Sequence, residues 1–293
     1  MAKKAVIKKK DHHPVRSAIL FIVLLAFGIT MIIPFVWMLS SSFKYNNEIF
    51  LYPIRWIPQP IRFSNYVEVW TEIPFLRYYL NTLVYSLIVT IGQLFTCSLA
   101  AYSFAKLHYP GRDKLFLAYL ATMMVPWHAI MIPQFIVNKT LGLYNSPWAL
   151  ICMNLFSAFG VFLLRQFMLG IPDELCEAAR IDGCSEFANY WRIILPLCKP
   201  GLATLTVFTF NFMWNDYMAP MIYLDDDKIK TIQLGLAAFR TLYKTEYGLI
   251  MAGTVCSLIP MILLYVCAQK YLIEGIAFCG QISAMGRISG GKM

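Results

Sequence analysis

Long apolar runs without formal charge alternate with shorter polar segments along this chain. A helix needs about 20 apolar residues to cross a bilayer, and six runs reach that length. Because lipid offers no partner to exposed backbone groups, each run must be helical there. The runs are 18–43, 78–105, 115–138, 140–164, 202–224, which contains Asp216, and 247–269. The pattern predicts an all-α integral membrane protein with six transmembrane helices.

The same pattern predicts the domain organisation. A basic N-terminal segment, 1–17, precedes the first transmembrane helix, 18–43, and an external segment, 44–77. The first apolar run has 26 residues, against about 7–15 in a signal peptide, so we expect it to be retained. Residues 78–270 form a core of five spans that carries a polar loop at 172–196, and a cytoplasmic tail follows at 271–293.

Local signals refine this outline. Prolines 53, 58 and 60 forbid a continuous helix in the external segment, while residues 63–70 could begin a short one. Pro126 and Pro133 predict kinks in the third span. The polar excursion 225–246 has apolar spacing compatible with a short helix on the surface.

Composition and charge agree with a membrane protein. Of the 293 residues, 59% are hydrophobic and 14% are charged, whereas a soluble domain carries about a quarter charged residues. The net charge is +9, and 16 of the 25 lysines and arginines lie in segments 1–17, 106–114, 165–201 and 270–293. The positive-inside rule places these segments, and both termini, in the cytoplasm. Topology explains the basic arm more simply than nucleic acid does.

The sequence offers little for covalent chemistry. The eight cysteines form no Cys-x-x-Cys and pair with no histidine at ligand spacing, so we expect no metal site. A membrane-embedded protease or acyltransferase needs converging catalytic groups, but Asp216 and His128 stand alone in their spans. We expect no enzyme activity and no cofactor in this chain.

The sequence of the polar loop at 172–196 predicts two helices joined by a glycine. Pro172 suits the first turn of a helix, and Glu177 lies near its positive end. Gly183 is placed to end it in a left-handed conformation. Ser185 can cap a second helix, which we expect Pro196 to terminate.

Small residues distinguish this loop from an ordinary amphipathic segment in the lipid headgroups. The short side chains of Ala178 and Ala179 leave one side of the first helix without bulky groups, so another protein's backbone could approach it closely. Glu177, Arg180 and Asp182 place charge around that flat patch. We interpret it as a docking surface.

These residues carry a specific resemblance. Glu-Ala-Ala at 177–179, three residues, Gly183, nine residues, and Ile-x-Leu-Pro at 193–196 resemble the EAA loop of permease subunits of ABC importers. The resemblance covers roughly residues 76–272. WNDYMAP at 214–220 and TIQLGL at 231–236 resemble the carbohydrate-importing branch, close to the maltose-type second permease. Cys184, where alanine is common, and the tail at 278–293 depart from that pattern.

The resemblance implies a type-1 importer permease fold in the cytoplasmic membrane of a bacterium. It implies four kinds of partner: a homologous second permease, two cytoplasmic ATPase subunits, an external solute-binding protein and the bilayer. The chain has no phosphate-binding G-x-x-x-x-G-K-[ST] motif, so ATP and Mg²⁺ would be bound by the ATPase. The implied coupling residues are Glu177, Ala178, Ala179, Asp182, Gly183 and Pro196.

The translocation path has weaker signals. Asp216 is the charged residue of the fifth span, and Asn211, Trp214 and Asn215 lie beside it. Amides, a carboxylate and an aromatic ring suit a sugar, so these four are candidate path residues. A helix-end carboxylate bonded to backbone is the alternative for Asp216. Asn81, Asn154 and His128 are more simply explained by helix bridging or packing.

The resulting prediction is the membrane-spanning subunit of an ATP-driven importer for a sugar or oligosaccharide. The same scaffold would carry a non-sugar solute such as glycerol phosphate or a polyol. An ATP-independent channel is the other alternative, and it gives no reason for the EAA pattern.

Overall fold

The computed structural model describes residues 14–240 and 244–289, and every regular element in these ranges is helical. The residues 1–13 of the predicted basic segment lie outside them. The helices are α1 (Pro14–Ser41), α2 (Ser64–Glu72), α3 (Phe75–Lys106), α4 (Arg112–Ala121), α5 (Trp127–Thr140), α6 (Pro147–Asn154), α7 (Ala158–Leu169), α8 (Glu174–Ile181), α9 (Glu186–Asn189), α10 (Leu195–Leu197), α11 (Lys199–Asn215), α12 (Met218–Tyr223), α13 (Ile232–Ala238) and α14 (Tyr247–Ser289). Short 3-10 turns occupy Asn46–Glu48 and Thr122–Met124, and a π-helical turn occupies Tyr190–Ile194.

Four helical segments in the described ranges are long and apolar enough to cross a membrane: Ser17–Ser41, Phe75–Lys106, Pro147–Leu169 and Tyr247–Tyr271. Two further candidates are bent pairs. Arg112–Met124 and Trp127–Thr140 meet at 97°, and Glu186–Leu197 and Lys199–Asn215 meet at 78°. Six spans result if each pair crosses once, which agrees with the predicted number.

Two of the predicted spans are interrupted more sharply than the sequence indicated. The break before α5 falls at Val125 and Pro126, so the expected kink becomes a sharp corner, whereas Pro133 lies inside α5. The predicted fifth span, 202–224, ends as a helix at Asn215. Asp216 has an extended backbone (φ −68°, ψ 124°) there, and α12 restarts at Met218.

Helix α3 is the centre of the bundle, because α7 and α11 both pack along it. Helix α11 also packs on α14, and α14 contacts α1 and α2. One apolar cluster joins the second half of α3 to α7 and to the segment that precedes α11. A second joins α2 and α13 to the ends of α3, α11 and α14, and a third joins α3 to α6 and α12.

The short external helices form where the sequence indicated them. Helix α2 covers most of 63–70, and α13 lies in the excursion 225–246. Helix α13 is not a surface helix, however, because Ile232, Gly235 and Leu236 are buried in the second cluster. Helix α14 continues through the predicted tail to Ser289.

Side chains of α3 satisfy the backbone where other helices break. Between α6 and α7, the carbonyl of Asn154 accepts a hydrogen bond from Gln93 Nε2 (2.7 Å), and that of Leu155 accepts one from Thr96 Oγ1 (2.6 Å). In the loop before α13, Asn81 Nδ2 donates to the carbonyls of two lysines, 228 and 230. Asn81 therefore bridges α3 to a loop and not, as expected, to another helix. A break at membrane depth needs such partners, because lipid provides none.

Close helix packing generates a stability prediction at Gly160, where a Cβ atom would lie 2.9 Å from Cys97 Sγ and 3.1 Å from Leu205 Cδ1. We expect Gly160→Val to destabilise the α3–α7–α11 contact by about 1–3 kcal/mol through overpacking. Gly28→Val is the matched control, since a Cβ at Gly28 meets nothing within 4 Å. The melting temperature in detergent should fall for Gly160→Val alone. Equal shifts for the two variants would contradict the packing described here.

Candidate functional site

The polar loop folds as the predicted helix–glycine–helix unit, which we call the knuckle and define as residues 172–197. Its first helix, α8, begins at Glu174. Pro172 therefore precedes the helix, and the prediction that it lies in the first turn was wrong. Glu174 and Glu177 lie in that turn, where the helix dipole favours negative charge. Gly183 has φ +82°, which confirms the left-handed stop. The amide of residue Cys184 donates to the Ala179 carbonyl (2.9 Å), which closes the end of the helix.

The second helix begins as predicted and ends differently. Ser185 Oγ accepts a hydrogen bond from the Ala188 amide (3.2 Å), which confirms the N-cap. The prediction that Pro196 terminates this helix was wrong, because the helix runs on to Leu197. The π turn Tyr190–Ile194 precedes the proline and changes the hydrogen-bond register, as π turns do. The chain then turns by 78° into α11.

The two alanines of the knuckle face opposite ways. Ala179 is only 6% exposed and lies with Cys176 on the side that packs against the protein, so its predicted place on the docking patch was wrong. Ala178 is exposed, as are Glu177 and Asp182. Helical periodicity explains the difference, since residues three apart share a face.

Apolar side chains extend the exposed side of the knuckle. Ile181 is 86% exposed and lies three residues after Ala178, on the same face of α8, while Leu175 lies a turn earlier than Ala178. Phe187 and Trp191 are exposed on the second helix. An exposed apolar patch rimmed by charge is typical of an interaction surface.

The knuckle is fastened to α3 at both of its helices. Lys106, at the end of α3, is 3% exposed, and its Nζ donates to the Ile171 carbonyl (2.6 Å) and to Asp173 Oδ1 (2.5 Å). Tyr102 Oη donates to Glu186 Oε2 (2.7 Å).

A further ion pair joins the two helices of the knuckle to each other. Glu186 Oε1 accepts from Arg180 Nε (2.6 Å), so one carboxylate joins α8, α9 and α3. This bond raises the pKa of Arg180 above its ordinary value, which keeps the guanidinium charged. Deeper in the bundle, the hydroxyls of Tyr190 and Ser98 are 2.8 Å apart. The knuckle and α3 are therefore joined by ionic, polar and apolar contacts.

The candidate path residues separate into three locations. Trp214 is 1% exposed, donates from Nε1 to the Ser257 carbonyl (3.0 Å) and stacks on Phe210, so its ring is enclosed by the protein. Asn211 and Asn215 share an exposed face, and Asn215 Nδ2 donates to Asn211 Oδ1 (2.9 Å). Asp216 Oδ1 accepts from the Ala219 amide (3.4 Å), which is the backbone-bonded alternative considered from the sequence.

Asp216 also lines a cavity of about 370 Å³ that Asn211, Trp214 and Asn215 do not line. Its polar or aromatic walls come from Trp127, His128, Gln134, Asn154, Phe212, Asp216 and Tyr223. A second cavity of about 350 Å³ shares Asn154 and Phe212 with the first. It is further lined by Gln93, Phe156, Ser157, Phe159, Phe208 and Thr209. The two adjoin along one face of α11, and we call them together the α11 groove.

Sequence reasoning missed most of this groove. The sequence does not single out Gln93 and Gln134, and it favours helix bridging for Asn154 and packing for His128. Uncharged amides inside apolar runs were the available signal, but a bridging amide gives the same signal. The corner at Pro126 and the break after Asn154, which place these residues together, cannot be read from the residues alone.

The family model described as "Binding-protein-dependent transport system inner membrane component" matches residues 97–277. A probable ABC transporter permease protein, YurM, of Bacillus subtilis is 32% identical over 88% of this chain and 86% of its own length. The arabinooligosaccharides transport system permease protein AraQ of Halalkalibacterium halodurans is 30% identical over 93% of this chain and 99% of its own length.

A solved structure also matches. It is a chain of a bacterial ABC transporter involved in the import of the acidic polysaccharide alginate. The TM-score is 0.77 at 25% identity, and the match covers 90% of this chain and 99% of that one.

The fastening at Lys106 generates a prediction about local stability. Lys106→Met removes both hydrogen bonds of the ammonium group, a loss of about 1–3 kcal/mol for hydrogen bonds to a charged donor. We expect amide hydrogen exchange in residues 173–182 to accelerate by about tenfold or more. Lys199→Met is the control, because Lys199 is exposed and has no hydrogen bond among the described residues. Exchange that is equally fast in both variants would show that Lys106 does not fasten the knuckle.

Proposed function

The chain belongs to the family of inner-membrane components of binding-protein-dependent transport systems, and from that premise we propose that its knuckle couples solute transport to a separate ATPase. The observation that carries this proposal is the exposed side of the knuckle. Ala178, Gly183 and Ile181 are accessible there, while Glu186 and Lys106 fasten the opposite side to α3. A rigid unit that is free on one side and bonded to a span on the other suits transmission of movement.

In the proposed importer, the ATPase partner binds ATP and Mg²⁺. No phosphate-binding glycine motif occurs in this sequence, so nucleotide chemistry has to come from another subunit. The exposed glutamates 174 and 177 and Asp182 surround the patch and would set the orientation of docking through charge complementarity. Within this proposal the chain itself carries out no covalent chemistry and binds no cofactor.

The assembly that we propose has a second, homologous permease across the path, two ATPase subunits on the cytoplasmic side and a solute-binding protein outside. Both termini would then be cytoplasmic. The match to inner-membrane components of systems that depend on a binding protein supports this arrangement. The apolar exposed surface of the spans, for example along α1, supports the membrane location.

The solute that we propose is a sugar or oligosaccharide. Support comes from the permease of an arabinooligosaccharide system among the relatives and from the fold shared with an importer of a polysaccharide. Sugars need hydrogen-bonding side chains beside an aromatic surface, and the α11 groove offers both. Glycerol phosphate or a polyol remains the competing solute.

A substitution pair at the knuckle tests the coupling. Ala178→Trp places a large ring on the exposed side of α8, where the native side chain is short. We expect uptake driven by ATP to fall at least tenfold because the ATPase can no longer dock there. Ala178→Ser is the matched control and should transport normally. The measurements are ATPase co-purification and solute-stimulated ATP hydrolysis by the assembled complex, at equal levels of membrane insertion. Normal co-purification and hydrolysis with Ala178→Trp would refute docking at this patch.

The glycine of the knuckle supplies an independent test. Gly183→Val forces a β-branched residue into a φ of +82°, which is strained by about 1–3 kcal/mol. We expect the angle between α8 and α9 to change and coupled hydrolysis to drop, with the spans still inserted. Gly142→Val, at φ +69° with open space around it, repeats the strain away from the knuckle. Equal losses in the two variants would indicate general destabilisation rather than a coupling role.

A further inference from the structure

We propose that the α11 groove is a saccharide-binding subsite on this subunit, selective for uncharged sugars over acidic ones. This inference rests on the proposed function, since it specifies the solute of the same importer. It places the sugar on the face of α11 that carries Phe208 and Phe212. The exposed pair Asn211 and Asn215 lies outside the groove.

Gln134 is held in an orientation that suits a sugar hydroxyl. Its Oε1 accepts from Trp127 Nε1 (2.9 Å) and from Tyr223 Oη (3.2 Å). An amide nitrogen accepts no hydrogen bond, so the atom that faces both donors must be the oxygen. These two bonds therefore fix the orientation of the Gln134 side-chain amide. Its Nε2 has no hydrogen bond to any residue that the structure describes, so both of its protons remain available for a ligand. The donor is held in place before a sugar arrives.

The floor of the groove is a closed polar network. Gln93 Nε2 donates to the Asn154 carbonyl (2.7 Å), and Thr209 Oγ1 donates to Gln93 Oε1 (2.8 Å). These bonds tie α3, α6 and α11 together beneath the shared wall of Asn154 and Phe212. Since Gln93 and Thr209 are mutually satisfied, the groove has a rigid base and the exposed groups carry recognition.

Aromatic side chains supply the apolar half of a sugar site. Phe208 and Phe212 are one helical turn apart and are both more than half exposed, and Phe159 packs edge-on against Phe208. A pyranose or furanose ring has an apolar face of C–H groups and an edge of hydroxyls. Exposed aromatic rings beside Gln134 and Asn154 match those two surfaces.

Charge sets the predicted selectivity. Asp216 is the acidic residue of the groove, and no lysine or arginine occurs among its lining residues, all of which the structure describes. An acidic sugar would place its carboxylate near Asp216 in a weakly polar surrounding, where repulsion between like charges is strong. An uncharged hydroxyl can instead donate to the Asp216 carboxylate, a bond stronger than one between neutral groups.

The experiment measures solute trapped in the assembled importer. The complex is reconstituted in lipid nanodiscs with its binding protein and arrested with ATP and vanadate. Retained radiolabel is then counted for five probes: arabinotriose, lactose, diacetylchitobiose, a mannuronate trisaccharide and glycerol 3-phosphate. We expect retention of at least one neutral saccharide and none of the two acidic probes. Retention of an acidic probe, alone or together with a neutral saccharide, would overturn the inferred selectivity. Retention of glycerol 3-phosphate alone, or of no probe, would overturn the sugar proposal as well.

Variants locate the subsite. Phe212→Ala and Gln134→Ala should each lower the retained saccharide by about tenfold, with vanadate-trapped nucleotide unchanged as proof of assembly. Phe95→Ala is the matched control, because Phe95 is an exposed phenylalanine of a span outside the groove. Asp216→Asn should raise retention of the mannuronate relative to the neutral saccharide. Full retention with Phe212→Ala and Gln134→Ala, or loss with Asn211→Ala instead, would contradict the subsite while leaving the proposed function intact.

Discussion

Hydrogen bonds from the side chains of α3 hold together the irregular parts of this membrane protein. Gln93 and Thr96 bond the break between α6 and α7, and Lys106 bonds the start of the knuckle. Tyr102 bonds Glu186 at the second helix of the knuckle. Since lipid cannot satisfy a broken helix, the bonds from Gln93 and Thr96 are what permit the break between α6 and α7 in an apolar bundle. The same helix therefore touches both the groove and the knuckle.

That arrangement gives a physical route between the two sites. In the proposed coupling, a displacement of the knuckle would be passed to α3 through Lys106 and Tyr102, which lie about one turn apart on that helix. Along the same helix, Gln93 forms the floor of the groove with Thr209 and Asn154. A movement of α3 relative to α11 would change the groove directly, because α3, α6 and α11 meet in that network.

The sequence predicted the elements governed by local rules and failed where tertiary contacts decide. Apolar runs predicted the number of spans, and Gly183 and Ser185 predicted the turn and cap of the knuckle. The inward side of Ala179 and the continuation past Pro196 depend on packing and on a π turn. The enclosure of Trp214 and the assembly of Gln134 into the groove depend on the corner at Pro126 and the break at Asp216, and no residue periodicity encodes those.

Coupling by the knuckle requires that its exposed side face the cytoplasm, where an ATPase can reach it. Ile181, 86% exposed, is the position to probe. Ile181→Cys is treated with a membrane-impermeant maleimide in inside-out and right-side-out vesicles, with the parent protein as background. We expect labelling above background in inside-out vesicles only, and protection when the ATPase is bound. Labelling in right-side-out vesicles would place the knuckle outside the cell and rule out coupling to a cytoplasmic ATPase.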